Sequence, residues 1–229
     1  MREYILLALA AAACERPASG GDDPAPVQLD RPGVVRYHMA RHFGDLRDIE
    51  RMLLAGKLED ARTRAFLLTR PPKDIGLSPL AAESQAVEEA AAELVEAPTI
   101  AEACRLEAKV AKACASCHVH IPRLLRLPPP PEEPSPEPAL DVRMARHQWA
   151  ADRLWEGVVM GDERRWRQGL EVLAMRPVPM PHGDGLARRL QKLATDALGD
   201  FESRSDTYAT RAQAYGEMLV TCAACHRQQ

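Results

Sequence analysis

A chain of 229 residues is long enough for one large domain or for two of about 100 residues each. Apolar residues make up 46 %, enough for real cores, but aromatics are only 4 % while alanine is abundant, a usage that favours closely packed helices over sheets. The formal charge of −3 supplies no broad basic field, so nucleic acid is set aside as a partner.

The chain begins MREYILLALAAAAC, with Arg2 followed by an apolar run and then small residues directly before Cys14. The run is too short to span a bilayer and has the shape of an export signal over 1–13. A buried, Ala-rich helix start is the plainer alternative. The small residues before Cys14 resemble a bacterial lipoprotein processing site, with Ala11 where leucine is more usual. On that reading Cys14 is the lipidated first residue of an exported, periplasmic protein. The polar, Gly- and Pro-rich stretch that follows is then a tether over 14–31, anchoring a globular part to a membrane without embedding it.

Val35, Met39, Phe43, Leu46, Ile49 and Leu53 recur at helical spacing between Pro32 and Gly56, which predicts a first helix of about 24 residues. Leu58 to Thr69 continues as a second helix, stopped by Pro71 and Pro72. Ser78 and Pro79 open a third that runs to Ala97. Thr99 with Glu102 forms a capping-box pattern for a fourth, extending to Ile121 before Pro122. Next comes LPPPPEEPSPEPA, 127–139, a Pro-rich linker that cannot continue a helix and either spaces two domains or lies folded along them. Beyond it the helical pattern resumes over 140–160, 162–175, 184–202 and 206–226, with Pro177, Pro179, Pro181 and Gly183 in one connection.

The two halves are one module written twice. HMARHFGDLRDIERMLLAG, 38–56, aligns without gaps on RMARHQWAADRLWEGVVMG, 143–161, a shift of 105 positions that pairs Met39 with Met144, His42 with His147 and Gly56 with Gly161. CASCH, 114–118, recurs as CAACH, 222–226, shifted by 108. Four amphipathic helices with short connections make an antiparallel bundle, so the expected fold is all-α, two tandem four-helix bundles over 32–126 and 140–229. That topology places the start of each first helix beside the end of each fourth, where the repeated residues lie.

On a helix, positions i, i+3 and i+4 share a face. Cys114 and Cys117 thus both reach one edge of a single haem while His118 turns its imidazole to the iron; Cys222, Cys225 and His226 repeat the arrangement. CxxCH is the attachment pattern of c-type haem. A zinc site needs four ligands and each motif offers at most three, and a thioredoxin-like redox pair belongs in a βαβ context that the helical pattern lacks. The expectation is two covalently bound haem c groups.

With CxxCH closing the last helix of each repeat, each half resembles a class II c-type cytochrome, the group that contains cytochrome c prime. The resemblance covers about 33–122 and 140–229, and the tandem duplication departs from it. It implies a sixth iron ligand from the first helix. Low-spin members of the family use a methionine there, and Met39 and Met144 match it; His42 and His147 are the alternative ligands. High-spin members instead put a nonligating apolar residue there and bind small gases.

A thioether opposite imidazole suits electron transfer. The function expected is electron carriage between donor and acceptor proteins at the periplasmic membrane surface, without bond-making catalysis. The alternative is a five-coordinate haem protein that binds or senses nitric oxide or carbon monoxide. Of the remaining residues, Cys104 reads as a small buried hydrophobe, Arg123 and Arg126 as a solvated charged end or partners of haem propionates, and Trp149, Trp155 and Trp166 as core or interdomain packing.

Overall fold

Proline, glycine and threonine set most of the helix ends. In the computed structural model, which describes residues 29, 31–70, 77–121, 127–136, 139–175 and 184–227, helix α1 (Pro32–Leu54) opens on Pro32, whose missing N–H costs nothing in a first turn. It closes just before Gly56, and its counterpart α5 (Leu140–Met160) closes at Gly161. Both glycines have positive φ, 73° and 66°, which explains why this residue recurs in the two halves.

Helix α2 (Leu58–Ala65) tightens into a 3-10 turn at Phe66–Thr69, and a second 3-10 turn, Ser78–Leu80, leads into α3 (Ala81–Val95). Helix α4 (Ile100–His118) begins where the sequence places it, with the Thr99 hydroxyl accepting from the Glu102 N–H at 3.1 Å. The last three helices are α6 (Glu163–Met175), α7 (Asp184–Glu202) and α8 (Tyr208–His226). Helix α8 carries a reciprocal capping box of Thr207 with Thr210. The described residues form eight α-helices and no strand, as the all-α expectation requires. The segments 1–28 (signal, Cys14 and most of the tether), Arg123, Arg126 and the prolines of 176–183 lie outside the described residues.

Each helix packs on the next within its half, with α1 also against α4 and α5 against α8. The halves meet through α4 lying on α8, flanked by α4 on α5 and α1 on α8, pairings that map onto each other when the halves are exchanged. Small residues allow the close approach: a Cβ added to Gly216 would stand 3.2 Å from the Arg105 Cα and 3.4 Å from the Ala108 Cβ. The apolar interior is therefore continuous, with Ile49, Leu53, Leu94, Ala111, Leu154, Leu170 and Met218 in one cluster. Full burial of each large aliphatic side chain contributes about 1.5–3 kcal/mol.

The tryptophans belong to this interior. The Phe43 ring of α1 meets Trp155 edge-on at 4.4 Å across the junction. The Pro-rich linker lies along the second half: the Trp149 indole N–H donates to the Pro131 carbonyl at 2.9 Å, and the Arg165 guanidinium donates to the Pro128 carbonyl at 2.6 Å.

Helices α5 and α6 cross at two glycines. A Cβ on Gly157 would fall 2.6 Å from the Trp166 backbone nitrogen, and one on Gly169 would fall 2.7 Å from the Ala150 carbonyl oxygen. Gly157→Ala is expected to destabilise the protein by about 1–3 kcal/mol, as overpacking does, despite the better helix propensity of alanine. Urea unfolding followed by circular dichroism measures it, and an unchanged midpoint contradicts the crossing.

Candidate functional site

The last two turns of α4 carry Cys114, Cys117 and His118 on one face. That face borders a cavity of about 500 Å³, whose other wall is the start of α1, including Met39 and His42. The antiparallel pairing of α1 with α4 produces this meeting. Cys117 also packs with Leu80 and Ile121 in a small apolar cluster, so the 3-10 turn before α3 closes one side.

His118 is 9 % exposed, and its Nδ1 lies 2.8 Å from the Val159 carbonyl oxygen. A carbonyl only accepts, so the proton sits on Nδ1 and Nε2 keeps its lone pair. Burial pulls the imidazole pKa down to about 4, with the Val159 hydrogen bond opposing, so the ring is neutral at physiological pH. Val159 is on α5, so the other half of the chain braces the histidine. Val159 and Met160 also line the cavity.

Both thiols are held protonated. Burial, then Cys117, then Glu107 push the Cys114 thiol up to about 12; burial and then Glu83 push Cys117 up to about 11. Neither has the lowered pKa of a redox-active thiolate.

On the facing wall Met39 and His42 are half-buried. The His42 pKa falls to about 4 through burial, then the charges of His38 and Arg41. His38, not anticipated from sequence, packs its ring against His42 at a tilt of 59° with centroids 3.8 Å apart and also lines the cavity. The repeat gave no signal for it, because Arg143 occupies the matching position; its i, i+4 relation to His42 was the available one.

In the second half Cys222, Cys225, Met144 and His147 are half-buried and His226 is exposed. Burial and then the charge of His226 bring the His147 pKa down to about 4, so the start of α5 faces the end of α8. Burial, then Glu50, then Cys225 push the Cys222 thiol up to about 12.

Among the described residues, no group of three or more His, Cys, Asp or Glu side chains is placed to hold a metal ion, and no helix is long and apolar enough to cross a membrane. Comparison of the chain with protein-family models, curated proteins and solved structures finds no match.

Proposed function

We propose that the chain is a dihaem c-type cytochrome of the class II kind, built as two tandem four-helix bundles, that carries single electrons between donor and acceptor proteins at a membrane surface. The observation that carries this reading is the cavity that gathers both thiols and the braced imidazole of CASCH opposite Met39 and His42. A haem would be held here by Cys114, Cys117 and His118 from α4 and by Met39 or His42 from α1, side chains that border this one cavity.

Haem c, when bound, supplies a one-electron iron couple. Cys114 and Cys117 would hold the group covalently through their sulfur atoms. His118 offers Nε2, its tautomer and orientation fixed by the Val159 carbonyl, as outer partners fix metal-binding histidines generally. Met39 offers a thioether from the opposite wall, with His42 as the competing donor. Leu46, Val87 and Val159 keep water from the site and lower its dielectric, which sets the potential. Cys222, Cys225 and His226 repeat the set, with His147 near His226 and Met144 the matching thioether by the repeat. The segment 1–13 exports the chain, and acylation of Cys14 anchors it through 14–31.

Met39→Ala in the holoprotein is expected to convert one haem from low to high spin in the visible spectrum. If His42→Ala does so instead, the ligand is His42. If neither substitution changes the spectrum, the site is open and the gas-binding reading replaces electron carriage. A potentiometric titration is expected to resolve two potentials, because His118 is buried and braced by Val159 whereas His226 is exposed; one indistinguishable two-haem wave contradicts this.

A further inference from the structure

Where the halves meet, the core buries polar groups that the site above leaves unused. Glu50 of α1 is 5 % exposed and Glu107 of α4 is fully buried. Glu50 is satisfied: the Tyr215 hydroxyl of α8 donates to its Oε1 at 3.1 Å and the Arg47 guanidinium to its Oε2 at 2.5 Å. Arg47 in turn pairs with Asp152 of α5 and lies over the Trp155 ring at 4.8 Å. Glu107 is different. Among the described residues neither of its carboxyl oxygens has a hydrogen-bond partner, and the Trp155 indole N–H beside it stands outside hydrogen-bond geometry.

The cluster is itself duplicated. The shift of 105 positions superposes Glu50 on Trp155, and the shift of 108 superposes Glu107 on Tyr215. The first half thus contributes both carboxyls and the second both aromatic donors, at matching positions, and each pair spans the junction: Glu50 with Tyr215, Trp155 with Glu107. Tyr215 stands two turns before Cys222 and Glu107 two turns before Cys114, each on the face that carries the first cysteine of its motif. The charges reach those cysteines, since Glu107 raises the Cys114 and Cys104 thiols and Glu50 raises Cys222.

A carboxylate so placed in an apolar interior is costly, so burial favours the protonated form. Burial, and then the neighbouring Glu50 carboxyl, lift the Glu107 pKa well above the ordinary 4.5, with Trp155 and Arg47 opposing. Glu50 is also raised by burial, against Arg47, Tyr215 and Arg51. The groups facing Glu107 are therefore Glu50 and Arg47 from α1, Trp155 from α5, Tyr215 from α8, and Cys104 and Cys114 on its own helix.

We propose, on the dihaem reading above, that Glu107 is a proton-loading group shared by the two haem sites: its carboxylate takes one proton from water as an electron arrives from the donor protein, and releases it when the electron passes to the acceptor. Arrival of the electron removes one positive charge from a site that begins two turns along α4 from the carboxyl, and so tightens its hold on the proton. Between the proton affinities of the oxidised and reduced protein, reduction draws in up to one proton per electron, and the reduction potential falls as pH rises. Below that window the carboxyl is protonated in both states and above it ionised in both, and the potential is flat.

The test is a potentiometric titration of the full-length holoprotein and its Glu107→Gln variant from about pH 5 to about pH 9. Glutamine keeps the shape and the neutral charge of the protonated acid. The parent is expected to show a sloping region that the variant loses, the two agreeing at the acid end and the variant having the higher potential at the alkaline end. Equal pH dependence in both overturns the proposal. Infrared difference spectra of the unmodified holoprotein give a second readout that does not depend on the variant folding. A change in the carboxylic-acid carbonyl band on reduction is expected, and its absence contradicts the proposal. A chain that never acquires haem fails the electron-carrier reading; a haem-loaded chain without these signals fails this inference alone.

Discussion

A chain in which Cys114 and Cys117 are both replaced by serine is expected to carry one covalent haem where the parent carries two. Thioether attachment needs sulfur, and serine oxygen does not add to a vinyl group under the same conditions. His118 remains in place with its Val159 brace, but one axial nitrogen does not retain a porphyrin through denaturing purification. Intact mass is expected to fall by one porphyrin and the denatured haem absorbance by half. The second group, on Cys222 and Cys225, stays bound, and the reciprocal double substitution removes that one. Cys104→Ser is the control. It lies buried on α4, close enough to Cys222 to feel its charge but outside both CxxCH motifs, and both haems are expected to remain. A double-serine variant of CASCH that still carries two covalent porphyrins contradicts the assignment.

Arg47→Met is expected to destabilise the protein by about 3 kcal/mol, the scale for removing one partner of a buried ion pair. Methionine keeps much of the apolar stem beside Trp155, so the loss isolates the charge. Without the guanidinium, Glu50 keeps only the Tyr215 hydrogen bond. Its folded pKa, already raised by burial, rises further. A carboxyl whose folded pKa exceeds its unfolded value near 4.5 contributes stability that is full below that value and lost as pH rises through the folded one. The deficit of Arg47→Met is therefore small in acid and grows toward neutral pH. Urea unfolding at both pH values measures it, and adding Glu50→Gln is expected to recover most of the loss. A deficit independent of pH would mean that packing over Trp155, not the ion pair, is what Arg47 supplies.

Much of the helix layout was legible because its markers are local. Pro32 opens α1, Thr99 caps α4 through the Glu102 N–H, and Gly56 and Gly161 sit where φ is positive. The meeting of Met39 and His42 with CASCH followed from antiparallel topology alone. The capping box at Thr207 was missed because Thr210, rather than Glu or Gln, fills its reciprocal position.

What stayed hidden depends on which neighbour each apolar stripe meets. The stripe of α4 announces burial but not that α5 and α8 of the other half supply it. The Val159 brace, the Phe43–Trp155 contact and the burial of Glu107 all arise at that junction. Glu107 in particular belongs to no motif or repeated residue that the sequence singles out, and the packing of α4 against α8 and α5 makes it an interior acid.

The intact mass and Soret absorbance of the exported protein, purified from a host able to attach haem c, address the proposal most directly. The predicted result is two porphyrins bound covalently, with Cys114, Cys117, Cys222 and Cys225 consumed and Cys104 still reacting as a free thiol. A mass equal to the bare polypeptide, with those four cysteines alkylated and no Soret band, would contradict it.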